Sequence, residues 1–315
     1  MSSLSLKALQ DLYDSTMAQA DPRCDGYPLL DSPHKMLVMV GLYLLVIWLG
    51  PKVMANRKPW DLRRTIVIYN FALVLLSFST FLWTCAAIIK VGGYSIYCDS
   101  IDKYQSEKDK EEFINIGYIF FLSKLIEFWD TIFFVLRKKN RQITFLHVYH
   151  HATMTVFTWL GVKFLPGSSN IVYPLINSFI HAVMYTYYGL SACGPGMAKY
   201  LWWKKYLTRM QISQFVIFLG QGFINYYYDC PLPKVFAYAV YFYTFTILLL
   251  FINFYVKAYR AKQGKGVDNN KYHQNGVTGS AITNGKTSVN GNTTSNGKAA
   301  SNGTFMANGD SKKVL

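Results

Sequence analysis

Apolar residues in this chain fall into long runs of about 20 residues, separated by short polar links. Runs of this length match the hydrocarbon thickness of a bilayer, so each run predicts a membrane-spanning α-helix. Seven such spans are predicted. They are Met36–Val53, Thr65–Ile89, Ile114–Leu136, Ile143–Leu165, Ile171–Cys193, Tyr206–Tyr228 and Val235–Tyr259.

Basic residues concentrate in every second link, namely after the first, third, fifth and seventh spans. The link after the second span is acidic, and the links at 166–170 and 229–234 carry almost no charge. Cytosolic links of membrane proteins are enriched in Lys and Arg, so the alternation fits seven real crossings. It predicts a lumenal or exterior N-terminus and a cytosolic C-terminus.

The composition divides the chain into three parts. We expect a lumenal segment at 1–35, a helical membrane domain at 36–260 and a cytosolic tail at 261–315. The tail is rich in Asn, Gly, Ser and Thr and cannot bury a core, so we expect it to be disordered. It ends in Lys312 and Lys313, which resemble the dilysine retrieval signal of resident membrane proteins of the endoplasmic reticulum. Despite the net charge of +15, we expect no nucleic-acid partner.

Two of the five cysteines, Cys98 and Cys230, lie in links predicted to be lumenal. The lumen of the endoplasmic reticulum is oxidising, so we predict a disulfide between them. Two free thiols near the membrane surface are the alternative, and Cys24, which is also lumenal, could compete for either partner.

Polar residues on four of the predicted spans occupy one layer of the membrane. Counted at 1.5 Å per residue from the cytosolic ends, they lie roughly 6–18 Å deep. Charged groups at a helix centre cost roughly 2.5–3.5 kcal/mol each, so such a layer indicates a functional site. The layer comprises Lys124, Glu127, Asp130, His147, His150, His151, Asn177, His181, Tyr185, Tyr188, Gln211 and Gln214.

Each member of this layer also has a purely structural interpretation. Lys124 and Glu127 are three residues apart and could form an ion pair on one helix face. The tyrosines could be ordinary packing residues, since the chain has 24, and Gln211 and Gln214 could hydrogen-bond between helices. The convergence of four histidines with two acids, a lysine and three amides at one depth favours an active site in the cytosolic half of an all-α, polytopic membrane protein.

The spacing of His147, His150 and His151 first suggests a metal site. Membrane di-iron enzymes need about eight histidines, whereas this chain has six, and His34 and His273 lie away from the layer. We therefore expect no resident metal or cofactor, although a single-metal site stays open. Imidazole can instead act as a general base or accept an acyl group.

Four segments resemble the motifs of the very-long-chain fatty acid elongases. These segments are KLIEFWDT, HVYHH, NSFIHAVMYTYY and TRMQISQ, in chain order and on the expected spans. The resemblance extends over about 36–259. It implies a 3-oxoacyl-CoA synthase of the endoplasmic reticulum, which condenses a long-chain acyl-CoA with malonyl-CoA and releases CO₂ and CoA.

On this resemblance, His150 would take the acyl group as an acyl-imidazole, with His147 and His151 orienting it. His181, with Asn177, would polarise the thioester or assist decarboxylation, and the remaining polar residues would support the pocket. Which histidine is the nucleophile stays open. The basic residues expected to bind the phosphates of CoA are Arg137, Lys138, Arg141, Lys204 and Lys205.

The expected partners are acyl-CoA, malonyl-CoA, membrane lipid and the reductase and dehydratase that complete a four-step elongation cycle; a homodimer stays open. Gln142 and the surrounding segment resemble the subgroup that acts on polyunsaturated and very long chains. The alternative is a preference for saturated very long chains. Competing classes are a metal-dependent lipid desaturase or hydroxylase, a seven-helix receptor and a transporter.

Overall fold

Helices account for the regular structure of every segment described in the computed structural model, which covers 3–95, 98–104, 106–167, 169–230 and 234–260. These residues form nine α-helices and no strand, and the predicted all-α class is confirmed. The helices are α1 (Ser3–Met17), α2 (Pro33–Met54), α3 (Arg63–Val91), α4 (Glu107–Ile126), α5 (Phe128–Leu136), α6 (Phe145–Phe164), α7 (Val172–Ala192), α8 (Lys204–Tyr227) and α9 (Lys234–Tyr255).

Helix α1 was not predicted. Helices α2 to α9 fall on the seven predicted spans, and the third span is divided between α4 and α5. Within the described part of the chain, three helices are long and apolar enough to cross a bilayer, namely Pro33–Met54, Arg63–Val91 and Lys234–Tyr259. The protein is therefore a membrane protein. The other four predicted spans carry the histidines, amides and charges of the polar layer, which lower their hydropathy, so the count of seven crossings stays a prediction.

The third predicted span is interrupted at Glu127. The backbone N–H of Glu127 bonds to the carbonyl of Ser123 at 2.9 Å, four residues back. The N–H of Asp130 bonds to the carbonyl of Glu127 at 3.1 Å, only three residues on, so the backbone is wound more tightly here. The interruption lies in the polar layer, where irregular backbone is tolerated because it is buried within protein.

Helix pairs position the site by lateral packing: α3 lies mainly against α7, α4 against α6, and α8 against α9. Glycine permits the close approach of α8 and α9. A Cβ added to Gly222 would lie 2.6 Å from the ring of Tyr241, so a larger residue there would force the two helices apart. Exposed aliphatic and aromatic side chains cover the outer faces of α2, α3, α8 and α9.

The segment before α2 packs onto the end of α6 that is predicted to be lumenal. Lys163, which is 1% exposed, pairs with Asp25 at 2.6 Å, and Trp159 donates to the carbonyl of Leu29 at 2.8 Å. Cys24 is fully buried beside them, and this burial raises the pKa of its thiol to about 12. Cys24 is therefore a protected thiol and does not compete for a disulfide.

Cys98 and Cys230 are joined by a disulfide, with their Cα atoms 4.8 Å apart. This is the pair that the sequence predicted, and it ties the link after α3 to the link after α8. Helices α1 to α9 belong to one compact unit, Met1–Tyr255. Of the second unit, Val256–Leu315, the structure describes Val256–Arg260, a π-helical turn. The predicted disorder of the tail and the dilysine signal at Lys312 and Lys313 lie outside the described residues.

Candidate active site

A buried network of hydrogen bonds joins three helices at the interruption between α4 and α5. The ammonium of Lys124 donates to Glu127 Oε1 at 2.7 Å and to Asn177 Oδ1 at 2.9 Å. The Asn177 amide donates in turn to Gln214 Oε1 at 3.3 Å. Both charged side chains are almost fully buried, at 3% and 2% exposure. The pair thus satisfies its charges inside the protein and locks α4, α7 and α8 together.

His181 lies next to this network. Its Nδ1 atom is 3.1 Å from Glu127 Oε1, although the angle of approach falls outside hydrogen-bond geometry. Glu127 also lies within electrostatic range of His151. One carboxylate therefore serves Lys124 directly and stands close enough to His181 to stabilise a positive charge on that ring.

A chain of hydroxyl groups orients the first histidine of α6. Thr144 caps the helix, and its hydroxyl accepts the N–H of His147 at 3.2 Å. The side chain of His147 is then held through Nε2, which lies 2.8 Å from the hydroxyl of Thr131 on α5. Thr131 is 3.1 Å from the hydroxyl of Tyr43 on α2. Both ends of His147 are thus anchored before any ligand binds.

The three histidines of α6 divide between two sides of that helix. His147 and His151 are four residues apart, and their ring centroids are 4.4 Å apart on the side facing α2 and α5. His150 is turned toward α9, where its ring lies edge-on to Phe251 at 6.3 Å. Its Nδ1 atom is 3.4 Å from the hydroxyl of Tyr243. Its Nε2 atom makes no hydrogen bond to any described residue.

A second carboxylate, Asp130, is held by the tyrosines of α7 and α3. The hydroxyl of Tyr185 donates to Asp130 Oδ2 at 2.8 Å, and Tyr69 lies beside the same carboxylate. The ring of Tyr185 also contacts His181 and Tyr188, with centroid distances of 5.8 and 6.0 Å. Asp130 is thereby tied to α7, close to His181.

The structure brings most of the predicted polar layer into these contacts, with one member at its margin. Gln211 points its amide at the sulfur of Met184, 3.3 Å away. Tyr43, Tyr69 and Tyr243 join the site although the sequence did not single them out. Each is a hydroxyl in an otherwise apolar run, but the chain has 24 tyrosines, so this signal does not discriminate.

The basic residues predicted to bind CoA lie after the end of α5 and at the start of α8. Lys138 is already engaged: its ammonium donates to the carbonyls of Ala55 and Arg57 at 2.8 and 3.0 Å. It therefore closes the turn after α2 and retains one N–H for another ligand. Among the described residues, no carboxylate lies within 4.0 Å of the charged groups of Arg137, Arg141 and Lys205.

An apolar cavity of about 70 Å³ lies between α4, α6 and α7, on the side of the layer predicted to be lumenal. Its walls include Phe113 and Phe120 on α4, Gly161 on α6 and Pro174 on α7. Gly161 is ~16 Å from His150 along the helix axis. Among the described residues, no group of three His, Cys, Asp or Glu side chains is arranged to hold a metal ion.

Most of the chain is similar in sequence to one known protein family. Residues 28–267 match the model of the ELO family, described as the GNS1/SUR4 family. The match covers more than half of the chain. The chain therefore belongs to the ELO family of very-long-chain fatty acid elongases, enzymes of fatty acid elongation.

Individual relatives are similar over nearly their whole length. Very long chain fatty acid elongase 4 of Macaca mulatta is 41% identical over 281 residues, covering 89% of this chain and 88% of that protein. The mouse protein of the same name is 42% identical, covering 88% of this chain and 89% of its own length. Very long chain fatty acid elongase 7 of Rattus norvegicus is 43% identical, covering 80% and 90%.

Proposed function

We propose that this protein is a 3-oxoacyl-CoA synthase, which condenses a long-chain or very-long-chain acyl-CoA with malonyl-CoA in the first step of fatty acid elongation. The observation that best supports this proposal is that four histidines lie near a buried Lys–Glu pair in one layer. Of the histidines on α6, His147 has its Nε2 committed to Thr131 at 2.8 Å. The Nε2 of His150 is free of described partners, and His150 is half-buried whereas His151 is buried, which favours His150 as the acyl acceptor.

The reaction would proceed in two half-reactions. His150 attacks the acyl thioester, so a C–N bond forms, the C–S bond breaks and CoA leaves as a thiolate. Malonyl-CoA then loses CO₂, and its carbanion attacks the acyl carbon. A C–C bond forms, the C–N bond breaks and His150 is regenerated. No metal or redox cofactor takes part in either half-reaction.

The remaining polar residues have supporting roles in this scheme. Glu127 stabilises positive charge on His181, and a protonated His181 can donate to the thioester oxygen and so polarise it. Asn177 is held by Lys124 and Gln214, so it orients the network and keeps one amide N–H for substrate. His147 and His151 orient His150. Asp130, Tyr185, Tyr188 and Gln211 shape the pocket.

Substrate enters from the cytosolic side under this proposal. The CoA phosphates of both substrates meet the basic residues at the helix ends, which are Arg137, Lys138, Arg141, Lys204 and Lys205. The acyl chain extends toward the apolar cavity at Gly161. A polyunsaturated or very long acyl chain is the proposed preference, supported by the segment around Gln142. Saturated very long chains are the alternative.

The proposed location is the endoplasmic reticulum membrane, with the N-terminus in the lumen and the C-terminus in the cytosol. This orientation rests on the alternation of basic links and on the Cys98–Cys230 disulfide, which needs an oxidising compartment. Lys312 and Lys313 would act as the retrieval signal there. The 3-oxo product then requires a reductase and a dehydratase, which are the proposed partners.

The test uses microsomes from cells that express the protein, with labelled malonyl-CoA and without NADPH so that the 3-oxo product accumulates. Acceptors are saturated C16–C26 and polyunsaturated C18–C22 acyl-CoAs. A 3-oxoacyl product two carbons longer than the acceptor is expected from the wild type and from His34→Ala, whose ring faces Ser32. Product loss is expected in His150→Ala. A folded wild type that makes no product would contradict the proposal. A protein that holds stoichiometric iron and loses its activity when the iron is removed would also contradict it.

A further inference from the structure

The side of His150 that faces α9 meets two aromatic residues of that helix, Phe251 and Tyr243, which is 6% exposed. Its hydroxyl lies 3.4 Å from His150 Nδ1. The phenol ring stacks on Phe157 of α6 with a centroid distance of 4.6 Å, so the position of the hydroxyl is fixed by packing. This contact joins α6 to α9 at the proposed nucleophile.

The direction of this hydrogen bond decides which nitrogen of His150 is nucleophilic. A neutral imidazole carries one N–H, and the other nitrogen has the lone pair. If Tyr243 donates to Nδ1, the proton of His150 sits on Nε2 and blocks attack there. If Nδ1–H donates to the phenol oxygen, the Nε2 lone pair is free.

The other neighbours of the phenol supply acceptors for its proton. Met154 places its sulfur 3.6 Å from the hydroxyl of Tyr243, and a thioether can only accept. Thr153 also lies beside this phenol, and its own hydroxyl proton is given to the carbonyl of Tyr149. Both groups therefore present lone pairs to Tyr243. The phenol can donate its one proton to either of them and keep an oxygen lone pair for His150.

We propose that Tyr243 is a positioning residue that holds His150 with its proton on Nδ1, so that the Nε2 lone pair points away from α9 and attacks the acyl thioester. The inference rests on the proposed function. In the acylation step, Nε2 forms the C–N bond and the CoA thiolate leaves with the C–S electron pair and takes a proton from water. The acyl-imidazolium keeps its Nδ1–H on the Tyr243 oxygen. Attack by the malonyl-derived carbanion then returns neutral His150 in the same tautomer.

The experiment compares the wild type with Tyr243→Phe, which keeps the ring on Phe157 and removes the hydroxyl. Acyl-CoA alone is mixed with the purified protein, and the first-turnover release of CoA is followed by rapid quench. We expect Tyr243→Phe to acylate about 10-fold more slowly, which corresponds to ~1.4 kcal/mol in the barrier. The KM for acyl-CoA and the thermal unfolding temperature should stay close to those of the wild type.

Tyr149→Phe is the matched control. Its hydroxyl lies 2.8 Å from that of Thr246 across the same α6–α9 interface, and it makes no hydrogen bond to a histidine among the described residues. We expect it to acylate at the wild-type rate. If both variants acylate equally slowly, or if Tyr243→Phe acylates at the wild-type rate, the positioning role of Tyr243 is overturned. The proposed function is not affected by either result. A wild type that releases no CoA would overturn the proposed function and this role with it.

Discussion

The ion pair of Lys124 and Glu127 is the most deeply buried charge pair of the candidate site. Lys124 also donates to Asn177 at 2.9 Å and lies 4.6 Å from the ring centroid of Phe120. Two charges withdrawn from water are stabilised only when each keeps its partner and its hydrogen bonds. The pair therefore sets the geometry of the layer as well as its charge.

Glu127→Gln should destabilise the protein strongly, because it leaves the ammonium of Lys124 buried without its counter-charge. The loss is expected to be ~3 kcal/mol or more in the free energy of unfolding. Thermal unfolding in detergent measures it. The double variant Lys124→Met with Glu127→Leu should recover much of the stability while staying inactive. A Glu127→Gln protein as stable as the wild type would show that the pair has no structural role.

Thr131→Val removes the hydroxyl that lies between His147 and Tyr43 and preserves the shape of the side chain. Without the 2.8 Å contact to Nε2 the ring of His147 can rotate, so we expect kcat to fall by about 5-fold, as for loss of ~1 kcal/mol. Thr84→Val is the control, since its hydroxyl bonds only within α3, to the carbonyl of Thr80. Equal activity in both variants would exclude a role for Thr131.

Residue types and spacing selected polar residues most of which contact one another in the structure, but they did not give the internal arrangement of these residues. The sequence placed His147, His150 and His151 within one arc of a helix. The structure turns His150 to α9 and the other two to α2 and α5. That choice depends on which helices flank α6, and therefore on tertiary packing. Tyr43 and Tyr243 could not be selected for the same reason, because their partners lie far away in the sequence.

Among the secondary-structure elements, the length of the apolar runs predicted where helices lie, because a backbone in lipid can form hydrogen bonds only with itself. It did not predict the interruption at Glu127, since both flanking segments are apolar and neither Gly nor Pro marks the site. Helix α1 was missed because its sequence has no long apolar run. Local patterns thus identify spans but not their internal irregularities.

The apolar cavity between α4, α6 and α7 makes a prediction about chain length. A Cβ added to Gly161 meets no heavy atom within 4 Å, so Gly161→Leu should fill the cavity without strain. The longest acyl-CoA acceptors should then lose about 10-fold in rate relative to the shortest, a discrimination typical of apolar pockets. The acceptor panel measures this ratio.

Gly41→Leu provides the control for that substitution. Gly41 also has no heavy atom within 4 Å of an added Cβ, but it lies on the exposed face of α2. Its acceptor profile should match that of the wild type. An unchanged profile in Gly161→Leu would place the end of the acyl chain elsewhere.

For the molecule as a whole, the disulfide tests which side of the membrane its two links face. It joins residues 132 positions apart in sequence, and such a bond forms in the reticulum only if both links face the lumen. We expect Cys98→Ser to lose ~2–4 kcal/mol of stability. In Cys98→Ser, Cys230 should become reactive to maleimide without reductant.

Cys193→Ser is the matched control, because Cys193 is a free, exposed thiol that directly follows α7. It should leave stability and the labelling of Cys98 and Cys230 unchanged. In intact microsomes, an impermeant maleimide should reach Cys193 but neither Cys98 nor Cys230. Labelling of wild-type Cys98 before reduction would contradict both the bond and the predicted orientation.

A chase experiment tests whether His150 carries the acyl group between the two proposed half-reactions. Purified protein is loaded with labelled acyl-CoA, freed of excess substrate and then mixed with malonyl-CoA. We expect a base-labile acyl adduct on His150 that is converted to a 3-oxoacyl-CoA two carbons longer. An adduct on His150→Ala, or 3-oxoacyl product formed only when acyl-CoA and malonyl-CoA are present together, would contradict it.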